Sequence, residues 1–204
     1  MKTKYEKLAH LNRYKVLAVI RGKSLEEERE QADASVAAGC RILELSMLVP
    51  GTDRLIAELK AKYRDEIMIG AGTVHDPETC RIALLAGADF IASPEFDAEV
   101  CRMSNLYCSL YFAGCFTPVE IRAALREGAD IIKIFPSSAI DIKTFFSICS
   151  FFPGSMVMPA GGVNTSNAKQ FLDGGAFVIG CPFGATREEI LQNYPAFLNA
   201  AGLD

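Results

Sequence analysis

Apolar positions in this chain fall into two alternating kinds of segment. Short, nearly continuous runs occupy residues 16–20, 41–46, 67–69, 90–92, 107–112, 131–136, 156–159 and 177–179, each ending near glycine, proline or a polar turn. Runs this short and rich in branched side chains read as strands. Longer stretches with helix punctuation lie between them. Ser24 opens one, with Glu27 at the capping-box position, and Gly39 closes it. Asp53, Asp76-Pro77, Asp97, Thr117-Pro118, Asp141, Ser166 and Arg187 open the others, and a charged helix over residues 1–12 precedes the first strand. Continuous apolar strands alternating with helices predict parallel strands buried on both faces. Eight such units predict a closed (β/α)8 TIM barrel with an N-terminal helix, one domain over residues 1–204. A doubly wound open sheet is the alternative; the missing G-x-G-x-x-G turn after the first strand counts against it.

Composition narrows the function. Half the residues are hydrophobic, enough for one substantial core, and no Pro/Gly/Ser-rich linker or charge block divides the chain. A net charge of -4 gives no electrostatic case for nucleic acid or an anionic membrane. The charged start is unlike a signal peptide, and no uninterrupted apolar stretch approaches the ~18 residues of a membrane span. A cytoplasmic protein is expected. None of the seven cysteines forms C-x-x-C, and they read as reduced core thiols. His10 and His75 lack partners at ligand spacing, so neither a metal nor another cofactor is expected.

One strand carries a chemical anomaly. Lys133 stands within Ile131-Ile132-Lys133-Ile134-Phe135-Pro136, where a cation is a costly occupant. Either its stem is buried and its ammonium snorkels to water, or the amine is held partly neutral to attack a carbonyl and form a Schiff base. Glu44 is the second anomaly, inside Ile42-Leu43-Glu44-Leu45. Alternation puts Ile42 and Glu44 on one face, taken as the barrel interior, and the natural partner there is Lys133. A purely structural ion pair is the competing reading, although such pairs stabilise weakly once desolvation is counted. Arg21, Glu44, Thr73, Pro94, Gly114, Lys133, Gly161 and Gly180 all fall at or near C-terminal strand ends, where barrels build their sites.

Glu44, Gly70-Ala71-Gly72-Thr73-Val74, Ser93-Pro94, Lys133-Ile134-Phe135-Pro136 and Pro159-Ala160-Gly161-Gly162-Val163 together resemble the 2-keto-3-deoxy-6-phosphogluconate and 4-hydroxy-2-oxoglutarate aldolase family of small class I aldolases. The resemblance runs in order from about Val16 to Gly180. It implies a metal-independent, pyruvate-forming cleavage of a small-molecule keto acid on a homotrimeric barrel. Lys133 corresponds to the Schiff-base lysine and Glu44 to the general acid/base. Thr73 and the backbone beside it, Gly72 included, would hold the pyruvyl end. Pro94 and Phe135 would wall the site, and Gly161, Gly162, Gly180 and Cys181 would meet the distal end. A barrel that binds a keto acid or sugar phosphate without catalysis is the alternative of another class; the presence of both Lys133 and Glu44 argues against it.

The departures from the family pattern bear on the substrate. Some members carry an arginine four residues after the glutamate, where this chain has Leu48; others have one at the end of the first strand, where it has Arg21. Arg21 is therefore assigned to carboxylate or distal-anion binding. A threonine common before the Gly-Gly pair is Ala160, and the serine expected after the eighth strand is replaced by Cys181-Pro182. Two hydroxyl donors are missing, so the pattern leaves open a weakened phosphate site or an unphosphorylated 4-hydroxy-2-keto acid.

Overall fold

The computed structural model describes residues 2–203, so Met1, the first residue of the expected N-terminal helix, and Asp204 lie outside the described residues. That helix, α1 (Lys4–Tyr14), begins at a reciprocal capping box between Thr3 and Glu6. The alternating units follow as β1 (Val16–Ile20), α2 (Leu25–Ala37), β2 (Ile42–Ser46), α3 (Thr52–Tyr63), β3 (Met68–Gly72) and α4 (Pro77–Leu85). Next come β4 (Phe90–Ala92), α5 (Ala98–Leu106), β5 (Leu110–Cys115), α6 (Pro118–Arg126), β6 (Ile131–Ile134) and α7 (Ile142–Phe151). The last are β7 (Val157–Pro159), α8 (Ala168–Asp173), β8 (Ile179–Cys181) and α9 (Arg187–Ala201).

Every strand is parallel to its neighbours. The sheet runs in chain order from β1 to β7, and β8 pairs with β1. A bridge between Ala160 and Gly180 joins β7 to β8, which makes the sheet a (β/α)8 barrel. Period-2 alternation divides the core into two layers. Leu17, Ile42, Met68, Phe90, Leu110, Phe112, Ile131, Met158 and Val178 fill the barrel, and Leu11 of α1 joins them from below. The intervening strand residues, such as Leu43, Ile69, Tyr111 and Ile132, pack outward against the helices.

Local differences from the sequence reading have simple causes. The fifth strand starts three residues later than the apolar run, because Tyr107 caps α5 and Cys108 takes a left-handed φ of 53° in the turn. The last strand is likewise Ile179–Cys181 rather than 177–179. Ser24 does cap α2, but the Glu27 carboxylate accepts the Lys23 N–H, so the reciprocal half of that box is absent.

Candidate active site

Strands β2 and β6 stand opposite each other in an eight-stranded ring, so side chains from the two meet only if both are long and directed to the axis. Lys133 and Glu44 meet both conditions. The Lys133 Nζ lies 3.1 Å from Glu44 Oε1 and 3.5 Å from Oε2, with the residues only 5 % and 3 % exposed. Space for them comes from small residues around the ring. Gly70 leaves room for the Phe90 ring, Gly114 for the main chain of Pro94, and Gly72 for the Glu44 carboxyl; a Cβ at any of the three would collide with that neighbour. The Phe135 ring covers the ammonium, its centroid 5.7 Å from Nζ.

The pair forms the floor of a cavity of about 200 Å³ at the C-terminal ends of the strands. The sequence-predicted residues Arg21, Glu44, Lys133, Phe135, Gly161, Gly162 and Gly180 all line it. Arg21 sits exposed at the mouth, and among the described residues its guanidinium has no ion-pair partner. Gly161 and Gly162 have φ values of 72° and 122°, and a Cβ on them would come within 2.7 Å of the Phe135 ring and of the Ser138 backbone respectively. Those glycines therefore serve the packing of the β7 exit on the β6 exit, whatever else they contact.

Four predicted residues do not line this cavity. Gly72 and Pro94 stand behind it, against Glu44 and Gly114. Thr73 turns aside with φ 58°, its Oγ1 accepting from Ser46 Oγ at 3.3 Å. Cys181 belongs to the outer layer between strands and helices, where burial pushes its thiol far above the ordinary range. Its neighbour Pro182 lines the cavity instead, with Val19 and Ala160. Alternation along β1 could have revealed Val19, which shares the inward face with Leu17 and Arg21. Nearby, Asn164 commits one of its two amide hydrogens to its own turn and is exposed. Its side chain holds its own turn, donating to the Gly162 carbonyl and accepting from Ser166.

A further carboxyl lies beneath the loops that follow β1 and β2. Glu28 is fully buried; Oε2 accepts from Thr52 Oγ1 at 2.9 Å, Oε1 has no hydrogen-bond partner among the described residues, and burial pushes the group up to about 7 against the opposing pull of Thr52 and the nearby Ser46 and Gly22 backbone. Three successive glutamates, 26–28, look solvated in the sequence. The helical period that buries Gln31, Ala32 and Ser35 also buries Glu28, and that period was the readable signal. All seven cysteines are free, and no group of three or more His, Cys, Asp or Glu side chains among the described residues is placed as metal ligands would be.

A buried lysine–glutamate pair under a barrel mouth admits many chemistries, and comparison with known proteins narrows them. The family model for KDPG and KHG aldolases matches residues 8–193. The chain belongs to that aldolase family. It is thereby placed among the carbon–carbon lyases. The 2-dehydro-3-deoxy-6-phosphogalactonate aldolase of Escherichia coli K12 is 30% identical over 191 residues, covering 91% of this chain and 93% of that protein. A solved native KDPGal structure superposes with a TM-score of 0.84 at 30% identity, covering 91% of this chain and 93% of its own. A KDPG aldolase from Legionella pneumophila, with pyruvate captured at low pH as a covalent carbinolamine intermediate, gives a TM-score of 0.79 at 28% identity, with 96% and 95% covered.

Proposed function

We propose that this aldolase cleaves a 4-hydroxy-2-keto acid to pyruvate and an aldehyde through a Schiff base on Lys133. The observation that carries the reading is the 3.1 Å contact between Lys133 Nζ and Glu44 Oε1 on the floor of a small cavity. At that distance Glu44 takes a proton from the ammonium, and the neutral amine adds to the C2 carbonyl. Glu44 returns the proton to the carbinolamine hydroxyl, which leaves as water and gives an iminium. Glu44, a carboxylate again, takes the C4 hydroxyl proton as the C3–C4 bond breaks. Its electron pair flows into the iminium, the aldehyde departs, and an enamine remains. Glu44 gives that proton to C3, and addition of water to the new iminium releases pyruvate and the free lysine. The pyruvate carbinolamine of the Legionella relative supports the same first step here.

Arg21, at the mouth and without an ion-pair partner among the described residues, receives a substrate carboxylate or distal anion. Phe135 and Pro182 keep the amine away from bulk water. The family resemblance extends to a homotrimer of single-domain barrels in the cytoplasm. Phe146 and Phe151 on α7, 44% and 78% exposed, are apolar surface that a neighbouring copy would cover, whereas Phe145 and Ile148 are buried within the chain.

The distal end decides the substrate. Ala160 and Pro182 border the cavity where hydroxyl donors are expected. A hydrogen bond to a charged group contributes roughly 1.5–3 kcal/mol, so two missing donors cost on the order of 10²-fold or more in selectivity. Cleavage of 4-hydroxy-2-oxoglutarate is therefore expected to be comparable with that of the phosphorylated sugar acid. The measurement is the ratio of kcat/KM for the two substrates, repeated in Ala160→Thr. A thousandfold preference for phosphate in the unaltered protein would overturn this reading.

A further inference from the structure

Among the described residues one other lysine besides Lys133 is buried, at the opposite end of the barrel. Lys7 and Leu11 are the buried residues of α1, four apart and so on one face of that helix. Leu11 is fully buried against the barrel interior, and Lys7 is drawn under the strand ends beside it, only 4 % exposed. An apolar residue would fill that position at no electrostatic cost. The Lys7 Nζ instead makes one long contact, 3.5 Å to the Cys108 carbonyl, and among the described residues no carboxylate lies within ion-pairing distance. Burial pulls its ammonium below the ordinary lysine range, with nearby Lys60 and Lys4 adding to the effect and Asp89 opposing it.

The side chain borders a cavity of about 500 Å³ at the N-terminal strand ends, larger than the cavity over Lys133. Lys60 and Arg64 line the same space. Lys60 is paired with Asp89 at 2.7 Å, and that carboxylate also accepts the Ile69 N–H. Asp65 is the other acidic group on the wall. Arg64, at the end of α3, has no ion-pair partner among the described residues. With Asp89 neutralised by Lys60, Lys7 and Arg64 leave the wall positive despite Asp65. Leu84 and Tyr107 give it an apolar side.

We propose that this N-terminal-face cavity is a second binding site, which takes a small organic anion. Its phosphate or carboxylate head lies between Lys7 and Arg64, and its apolar body lies against Leu84 and Tyr107. An arriving anion supplies Lys7 with a counter-charge at contact distance, which Asp89, already paired with Lys60, does not. The site is independent of the aldolase chemistry, which lies at the other end of the strands.

The test is titration of the folded, isotope-labelled protein with phenyl phosphate and with benzoate, followed by backbone amide resonances. Gly87 and Ser109 report the N-terminal face; Gly161 and Gly180 report the catalytic face. Saturable shifts of Gly87 and Ser109 at millimolar ligand are expected with at least one probe, and which probe binds tighter assigns the head group. Lys7→Met and Arg64→Gln should each weaken that binding roughly ten- to hundredfold, while Arg21→Gln leaves it unchanged. Arg64 is exposed, so its variant reports even where Lys7→Met fails to fold. Shifts confined to Gly161 and Gly180, no saturation with either probe, or unaltered affinity in Arg64→Gln would each overturn the site.

Discussion

Glu28 makes the fold's stability depend on pH in a way that one substitution isolates. Its carboxyl is held at about 7 in the folded chain, against 4.5 for the ordinary group. Between those values the folded state keeps a proton that the unfolded chain has released. Stability from this group is therefore fully present below about pH 4.5 and is lost as pH rises through 7. A separation of 2.5 units at about 1.4 kcal/mol each gives a loss of about 3 kcal/mol from acid to alkaline pH. Glutamine cannot ionise, so Glu28→Gln removes this dependence. Comparing the pH slopes of the two proteins cancels the cost of fitting an amide beside Thr52 and the unpartnered Oε1 position. Thermal unfolding should be followed for both at equal concentration from pH 5 to pH 8.5. About three quarters of that loss falls between pH 5 and pH 8.5, so at roughly 2–4 °C per kcal/mol for a chain of this size the variant should gain on the parent by roughly 5–10 °C across the range. Parallel melting curves would refute the burial argument and mean that a partner or water solvates Glu28.

Glu44→Gln should retain the fold and lower kcat by about 10²–10⁴-fold, the usual contribution of general acid–base catalysis; loss of folded protein with normal specific activity in the remainder would favour a structural ion pair. Sedimentation should show a trimer at micromolar concentration, and Phe151→Glu should shift it toward monomer; a stable monomer in the unaltered protein would contradict the assembly proposed for α7.

The barrel was legible because its signals are local and redundant. Strands such as β1 and β4 are continuous apolar runs, and caps at Asp76, Asp97, Thr117 and Asp141 each accept a backbone N–H as their residue types predict. Lys133 and Glu44 could be paired from sequence because alternation gives the inward face and the ring gives their opposition. What escaped depends on loop direction. Thr73 has the right residue type in the right motif, yet a left-handed backbone turns it toward Ser46, and no spacing rule encodes that. Cys181 lies off the wall of the Lys133 cavity for a related reason. Taking 177–179 as the strand set the end two residues early, and β8 continues through a cysteine that faces the helices. Glu28 and Lys7 were hidden by their own chemistry, since charged residues near helix starts read as solvated until the packing around them is known.

The identity of the Lys133 nitrogen as the nucleophile can be read by incubating the protein with pyruvate and borohydride and mapping the added mass by peptide mass spectrometry. Reduction of the imine should leave one pyruvate-derived adduct on Lys133, and Lys133→Arg should carry none, because guanidinium stays protonated and cannot form the imine. Lys143, ten residues on and exposed on α7, is the internal control. An adduct on Lys143, or equal labelling of the Lys133→Arg protein, would contradict the assignment.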